Sequence, residues 1–277
     1  MGLAGMVVSR SIAVFLLAAM ALGSTAVAQL QDNTWYFGAF AGLSFSSGAP
    51  VSFSGCGMNT FEACASISSP SGMGLFYCDG ETVYDRSNSP MPNGTGLHGG
   101  TSSTQGALFV PFPGDTLHYY LFTLPSQIGQ SSVVDHMAYS IIDRSLHNGY
   151  GDVTLKNIPL VQFPTEEMKA TYHANGRDVW VLVRVFGTNE WYAYLVTCAG
   201  IAAPVVSRAG RVVQDSNLID TQACLGSMAI NADGTRIAST WNDYPSGTSY
   251  LELLHFDNAT GIVSDGTYTT HVSTDVS

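Results

Sequence analysis

The stretch HANGRDVWVLVRVFGTNEWYAYLV, residues 173–196, predicts two antiparallel strands. Asn175-Gly176 is a turn signal. After this turn, four valines at every second position form one face of the first strand, and the opposite face carries Trp180, Leu182, Arg184 and Phe186. A strand that is apolar on both faces is expected to be buried on both sides. Gly187-Thr188-Asn189 then turns the chain, and residues 191–196 predict a returning strand.

The same order of signals recurs, which makes this stretch one of four copies of a repeated unit. A turn glycine precedes the central strands of each copy, at Gly72, Gly114, Gly176 and Gly234. The last two glycines are 58 positions apart, whereas the first two are separated by 42 positions. We therefore predict a repeat whose period is near 58 residues and whose first interval is shorter.

A second recurring feature lies where a later strand of each unit ends, in the stretches VYDRSNSPM, SIIDRSLHNG, YLVTCAGIA and LHFDNATGI. Asp85 and Asp143 occupy the same place in the first two stretches, 58 positions apart. Because an aspartate can accept hydrogen bonds from backbone amides two residues further on, we predict a turn-forming role for both.

Repeats of this length in an all-β chain are typical of β-propeller blades, since radial stacking covers both apolar faces of each sheet. We predict an all-β fold of the β-propeller type with about four blades. Residues 34–46 predict an extra strand before the first blade, which could pair with the last blade. We expect the chain to be the N-terminal part of a larger ring. A complete four-bladed ring and a β-sandwich are the alternatives.

The N-terminus has the pattern of a secretory signal peptide. Arg10 precedes a short apolar run over residues 11–22, and Ala26-Val27-Ala28 supplies a cleavage site. The run is shorter than the ~20 residues that span a bilayer. We therefore expect a signal peptide over residues 1–28, a propeller-like domain over residues 29–277, and a secreted or cell-surface protein that does not insert in a membrane after cleavage.

The composition argues against two classes of partner, nucleic acid and anionic lipid. The chain has 277 residues, 45% hydrophobic and 11% charged, with a net charge of −11. Nucleic-acid binding depends on neutralisation of phosphates by Lys and Arg, so this balance argues against a nucleic-acid partner. It also argues against docking on anionic lipid.

The five cysteines all follow the predicted cleavage site, where export permits disulfides. Cys56 and Cys64 flank a Gly-containing loop and form the best candidate pair, and Cys198 and Cys224 could bridge adjacent strands. The odd number leaves at least one cysteine without an intrachain partner. The spacing resembles no zinc site.

Several long motifs carry a family resemblance. The stretches NTWYFGAFAGLSFSSGAPV, YCDGETVYDRSNSPMPNGTGLHGGTSSTQGALFVPFPG, YSIIDRSLHNGYGDVTLKN and HANGRDVWVLV lie within residues 33–262. They resemble the N-terminal propeller-like region of large exported surface proteins of Bacteroidetes. Members of that group often continue into PKD-type immunoglobulin-like domains and a type IX secretion sorting domain, and are linked to gliding motility. The resemblance supplies no catalytic residues.

The Gly-rich stretch NGTGLHGGTSSTQG, residues 93–106, could line a binding surface. Its polar side chains are His98, Ser102, Ser103, Thr104 and Gln105. Such a loop can cradle an anion with its backbone amides. It lacks the G-K-[ST] ending of a phosphate-binding loop, so we interpret it as a long connection on one face of the fold.

Histidines and carboxylates give no clear catalytic or metal motif. His98, His136 and His173 occupy roughly equivalent places near blade starts, and three histidines could bind a metal. Their spacing is too long for a motif, so we interpret them as partly buried histidines and predict no metal and no cofactor. Carboxylates that could act in glycoside hydrolysis are Asp79, Glu81, Asp85, Asp135, Asp143, Asp152, Glu166 and Glu167.

Exposed aromatic side chains can stack on sugars. Trp241 and Tyr244 lie in TWNDYPSG, which reads as a loop, and they are the best such pair.

We therefore expect an exported interaction module that binds a protein or polysaccharide through loops on one face, not an enzyme. The alternatives are a structural spacer of a larger adhesin or gliding-associated protein, and a hydrolase that acts on a polysaccharide.

Overall fold

The computed structural model describes residues 30–127, 135–214 and 222–272. The predicted signal peptide, residues 1–28, lies outside them. The described chain is all-β, as predicted, and its strands form five antiparallel sheets. We number these sheets 1 to 5 in chain order. Within the described ranges, no helix is long and apolar enough to cross a membrane.

The first two sheets occupy residues 34–95. Sheet 1 contains β1 (Thr34–Phe37), β2 (Ala39–Ser44) and β3 (Val51–Asn59). Sheet 2 contains β4 (Ala65–Ser68), β5 (Gly74–Cys78), β6 (Thr82–Asp85) and β7 (Pro90–Thr95). Each strand in sheets 1 and 2 pairs with the next one along the chain.

The remaining sheets repeat the arrangement of sheet 2. Sheet 3 contains β8 (Ala107–Pro111), β9 (His118–Thr123), β10 (His136–Asp143) and β11 (Asp152–Gln162). Sheet 4 contains β12 (Pro164–Tyr172), β13 (Val179–Val185), β14 (Glu190–Thr197), β15 (Gly200–Ile201) and β16 (Val205–Arg208). Sheet 5 contains β17 (Gly226–Ile230), β18 (Arg236–Asp243), β19 (Thr248–Asp257) and β20 (Ile262–Val272). Two 3₁₀ turns lie at His147–Gly149 and Gln222–Cys224.

The four predicted turn glycines occupy equivalent places. Gly72, Gly114, Gly176 and Gly234 each lie between the first and second strands of sheets 2 to 5. Their φ angles are 87°, 81°, 69° and 70°, in the left-handed region that glycine adopts without a steric penalty. The period predicted from the sequence therefore corresponds to one antiparallel sheet.

The predicted role of the aspartates is also confirmed. Asp85 ends β6 and its Oδ1 accepts a hydrogen bond from Ser87 N at 2.7 Å. Asp143 ends β10 and its Oδ1 accepts from Ser145 N at 2.8 Å. Asp257 ends β19 and accepts from the backbone N–H two residues later in the same way, at 3.0 Å. These side chains close the turn after the third strand of their sheets.

The sheets pack face to face in chain order, and the hydrophobic core lies between them. The opening stretch shows how this happens. Val181, Val183 and Val185 pack in a cluster with side chains of sheet 3. Trp180 and Leu182, on the other face of β13, pack in a cluster with side chains of sheet 5. The prediction that this strand is buried on both sides is confirmed.

The N-terminal region differs from the prediction of one extra strand over residues 34–46. The chain reverses at Gly38, which has a φ of 56°, and forms a hairpin of β1 and β2 that β3 extends. Among the described residues, no strand of sheet 1 pairs with sheet 5. Sheet 1 instead packs on sheet 2, where Tyr36 stacks on Tyr77 with ring centroids 3.9 Å apart.

Among the described residues, sheet 5 is covered on one face only. Leu254 and Phe256 of β19 are buried against sheet 4. Leu251 and Leu253 alternate with these positions, so they lie on the opposite face, and both are exposed. The last described sheet therefore presents an apolar outer face of a kind that the inner sheets bury.

The structure forms neither predicted disulfide, and all five cysteines lie in the described ranges. Cys56 is buried against Met58 and Tyr77, whereas Cys64 is exposed beyond the end of β3. Cys198 is exposed in the turn after β14, and Cys224 is buried in the second 3₁₀ turn. In each predicted pair, one thiol is directed into the core and the other to the surface.

Candidate functional site

A groove crosses one edge of each of three sheets and has a volume of about 620 Å³. Its walls are the first strands of sheets 2, 3 and 4, namely β4, β8 and β12. Each of these strands is the terminal strand of its sheet. A terminal strand leaves backbone N–H and C=O groups on one side without a strand partner. The groove therefore offers backbone hydrogen-bonding groups as well as side chains.

Charged side chains are few in the groove. Lys169 of β12 is exposed along one wall, and Asp32 and Glu62 lie among the lining residues. Apolar lining residues include Ile67, Val110 and Met168. This mixture suits a ligand that is held by backbone contacts and apolar contacts together more than a strongly charged ligand.

The predicted binding loop, residues 93–106, is divided among several roles. Ser103 is buried, and Ser102 is half-buried at the turn. The side-chain amide of Gln105 donates to Met228 O at 3.0 Å and accepts from Met228 N at 2.8 Å. It also accepts from Met168 N at 3.3 Å. Gln105 therefore links the first strands of sheets 4 and 5, although part of it still lines the groove.

Thr104 is tied to a buried carboxylate. Its backbone N–H donates to Glu166 Oε2 at 2.8 Å and its hydroxyl donates to the same atom at 3.2 Å. Gln127 N donates to the other carboxylate oxygen at 2.7 Å. Burial raises the pKa of Glu166, although these hydrogen bonds oppose the rise. Because Glu166 is fully buried and bonded to the protein, it is not presented to a substrate.

The neighbouring Glu167 belongs to a second buried network, between sheets 4 and 5. Ser239 Oγ donates to Glu167 Oε2 at 2.8 Å, and Arg184 Nη1 donates to Ser239 Oγ at 3.1 Å. Arg184 Nη2 lies 2.6 Å from Glu252 Oε2. Burial raises the pKa of Glu167 to about 7, against the opposing effect of Arg184. This network holds two sheets together and is closed to solvent.

Two of the three predicted histidines meet. His98 follows β7 and His136 begins β10, and their rings stack with centroids 4.0 Å apart and planes 11° apart. Asp135 lies between them, with its Oδ1 2.6 Å from His98 Nε2 and 3.4 Å from His136 Nδ1. His173 lies in the turn after β12 and is not part of this group. Its Nε2 contacts Ala259 O at 3.1 Å. The predicted equivalence of the three histidines is therefore wrong.

The histidine pair is fixed by its backbone. His98 N donates to Asn157 Oδ1 at 2.8 Å, and His98 O accepts from Thr123 Oγ1 at 2.7 Å. Burial lowers the pKa of His136, and the adjacent His98 lowers it further. The neutral imidazole, which has a lone pair to offer, is thus the favoured form of His136 at neutral pH.

The predicted aromatic pair is separated. Trp241 lies within β18 and not in a loop, and only 4% of its surface is exposed. It shares the face of that strand with Ile237 and Ser239, because alternate residues of a strand point the same way. Its ring stacks on Tyr250 with centroids 4.0 Å apart. Tyr244, directly after the strand, is 51% exposed, so of the predicted pair it alone is accessible to a ligand.

Sequence reasoning missed the groove and the position of Asp135 beside two histidines. The adjacent residues Asp135 and His136 were the available sequence signal for the contact between this aspartate and the histidines. The groove left no such signal, because it is formed by strand edges from three different sheets.

Comparisons with known proteins identify no family. No family model matches the chain, and no curated protein matches it. Among solved structures, the chain is similar to a functionally unknown protein from Desulfotomaculum acetoxidans DSM 771. The two share 11% identity with a TM-score of 0.42, over 86% of this chain. The match spans 66% of the length of that protein.

Proposed function

We propose that this chain is an exported interaction module of β-propeller type that binds an extended segment of a protein or polysaccharide. The binding surface is the groove along β4, β8 and β12, together with the loop ends that border it. The observation that carries the proposal is the meeting of three terminal strands in one open groove.

The propeller architecture is supported by how neighbouring sheets touch. The first strands contact one another, β4 with β8, β8 with β12, and β12 with β17. At the opposite side, the last strands also contact one another, β7 with β11 and β16 with β20. Blades around a central axis have this arrangement of inner and outer strands. In this architecture the groove corresponds to the inner channel.

An extended ligand suits strand edges for a physical reason. A peptide can add to an exposed edge through main-chain hydrogen bonds, and pockets for alternate side chains then give specificity. A polysaccharide can use the same carbonyl and amide groups through its hydroxyls. The resemblance to Bacteroidetes surface proteins, with the predicted signal peptide, supports a place on the cell surface or outside the cell.

The two predicted catalytic carboxylates on β12, one wall of the groove, do not favour hydrolysis. Glu166 and Glu167 have the raised pKa expected of a general acid, but both are buried and bonded to protein groups. A glycosidase needs two carboxyl groups that reach the scissile bond.

The test is binding of the full chain to arrays of soluble glycans and of extended peptides. Lys169→Glu places a negative charge in the groove. It should weaken the binding of any ligand found on the arrays at least tenfold. Lys156→Glu, on the outer strand β11, makes the same change in an exposed position and should have no effect.

Equal loss in both variants would contradict the groove as the binding surface. No hit on either array would favour the structural spacer. Release of shortened glycans would favour the hydrolase.

A further inference from the structure

The group of His98, Asp135 and His136 is the most concentrated set of metal-ligand side chains among the described residues. One ligand atom from each side chain lies within 4.8 Å of the other two. Imidazole nitrogen and carboxylate oxygen are both common zinc ligands. Ligand atoms around a tetrahedral zinc ion, with bonds of about 2.0–2.1 Å, are about 3.3 Å apart. The separation of 3.4 Å between Asp135 Oδ1 and His136 Nδ1 is near this value. Asp135 Oδ1 and His98 Nε2 are 2.6 Å apart, a hydrogen-bond distance, so this pair must separate by about 0.7 Å when the ion replaces the shared proton.

The three side chains come from two separate parts of the fold, His98 after β7 and the adjacent Asp135 and His136 at the start of β10, so the group does not depend on one loop. The backbone of His98 is bonded to Asn157 and Thr123. Asp135 O accepts a hydrogen bond from Phe163 N at 2.8 Å. His136 pairs in register with Gln162. Such fixed backbones keep the three ligands close together before a metal binds. The two imidazole rings are stacked with planes 11° apart, so one ring must rotate about its side-chain torsions to bring both in-plane lone pairs to one ion.

Solvent reaches all three side chains of the group. The side chains of His98, Asp135 and His136 are 29%, 41% and 30% exposed. Three protein ligands with an accessible side fit a site that leaves one coordination position for water or for a group of a bound partner. A fully enclosed four-ligand site would have no such position.

We propose that His98, Asp135 and His136 bind a divalent transition-metal ion, with Zn²⁺ as the fitting ion. Imidazole ligands favour Zn²⁺ over Ca²⁺ or Mg²⁺, which prefer oxygen. The ion joins the chain after the last strand of sheet 2 to the start of the third strand of sheet 3. The site is separate from the groove, whose lining contains none of the three residues.

The experiment is calorimetric titration of Zn²⁺ into the full chain after treatment with a chelator. We expect one ion per chain. His98→Ala and His136→Ala should each weaken binding by at least about 100-fold, since a lost ligand exceeds the 10–100-fold effect of a lost outer-shell partner. A second readout is Co²⁺, whose visible absorption should appear in the wild type and be lost in both variants.

The chain offers a matched control. His147 Nε2 lies 3.0 Å from Asp152 Oδ2, so it also forms a His–Asp pair, but without a second histidine. His147→Ala should leave Zn²⁺ affinity and the Co²⁺ spectrum unchanged. Asp135→Asn keeps the shape of a half-exposed side chain. It is the variant to test for loss of Zn²⁺ binding if a histidine variant does not fold.

The absence of Zn²⁺ binding in the wild type would overturn the proposal. Binding that survives both His98→Ala and Asp135→Asn would overturn it equally, because the ion would then lie elsewhere. Zn²⁺ should also raise the melting temperature of the wild type and not that of His98→Ala.

Discussion

Arg184 and Glu252 form an ion pair inside the protein, between sheets 4 and 5. Nη2 of the arginine lies 2.6 Å from Oε2 of the glutamate, and the two side chains are 0% and 1% exposed. Arg184 also donates to Arg211 O at 2.6 Å, and Glu252 Oε1 accepts from Arg211 N at 2.6 Å. Two sheets and a connecting segment are therefore joined by one set of charge-assisted hydrogen bonds.

Arg184→Met should lower the free energy of unfolding by about 3–5 kcal/mol, because Glu252 is left as a buried charge without its cation. Urea denaturation measures the change. Replacing both residues, in Arg184→Met with Glu252→Leu, should recover part of the loss, since apolar side chains then fill the space.

The control for this prediction is a surface pair on sheet 4. Arg208 Nη2 lies 2.7 Å from Glu190 Oε1, and the arginine side chain is 75% exposed. Arg208→Met should cost less than about 1 kcal/mol. Similar costs for the buried and the exposed arginine would mean that the interior pair is accessible to water.

Glu167 predicts a dependence of stability on pH. Its pKa is raised by burial from 4.5 to about 7, so the folded state binds a proton more tightly than the unfolded state. The resulting stability is complete below the unfolded pKa and is lost as pH rises through the folded pKa. Between pH 4.5 and 7 the loss should reach on the order of 3 kcal/mol, at about 1.4 kcal/mol per pKa unit.

Glu167→Gln removes this titration while retaining the side-chain shape. The difference in free energy of unfolding between wild type and variant should therefore change over this pH range. A constant difference across the range would show that Glu167 titrates normally. The comparison isolates Glu167 from Glu166, which titrates in both proteins.

The equivalent turn glycines should differ in how much stability is lost when each is replaced by alanine. Gly176 has a φ of 69°, and a Cβ there would meet no atom within 4 Å. Gly176→Ala should cost only the backbone penalty, about 1 kcal/mol. At Gly234, which has a φ of 70°, a Cβ would lie 2.6 Å from Thr171 Oγ1. Gly234→Ala should therefore cost more than Gly176→Ala in thermal or urea unfolding.

Removing the hydroxyl tests the reason for that excess. Thr171→Ala should reduce the extra cost of Gly234→Ala and leave the cost of Gly176→Ala unchanged. If the two glycine variants lose equal stability in the wild-type background, steric contact at Gly234 has no part in it.

The cysteine chemistry predicts a labelling pattern. Cys64 and Cys198 are exposed, whereas Cys56, Cys78 and Cys224 are buried. A maleimide reagent should modify two thiols in the folded protein and five in denaturant, without a reducing agent. Three modified thiols in denaturant would indicate one disulfide, and peptide mapping would show whether it is one of the two predicted pairs.

Local signals in the sequence were sufficient for the repeating sheets. Gly176 and Asp143 specify turns through their own backbone geometry and short-range hydrogen bonds, so their roles can be read within a few residues. Val181 and Trp180 specify burial on both sides of β13 because alternate positions of a strand face opposite ways. Each of these inferences needs only neighbours along the chain.

The site residues depend on contacts between sheets, which the sequence does not reveal locally. His98 and His136 are 38 positions apart, and only the packing of sheet 2 on sheet 3 brings their rings together. The turn residues in TWNDYPSG predict a loop at Trp241. The alternation in β18 and the stacking partner Tyr250 place it in the interior instead.

The uncovered outer face of sheet 5 sets the order in which the fold opens. Sheets 2, 3 and 4 each have a packed neighbour on both sides, whereas sheets 1 and 5 are each held from one side in the described part of the chain. In a stack where each layer is stabilised by its neighbours, the end layer detaches at the lowest cost. The backbone amides of β19 should therefore exchange with deuterium before those of β9, so that unfolding proceeds layer by layer and sheet 3 is among the last to open.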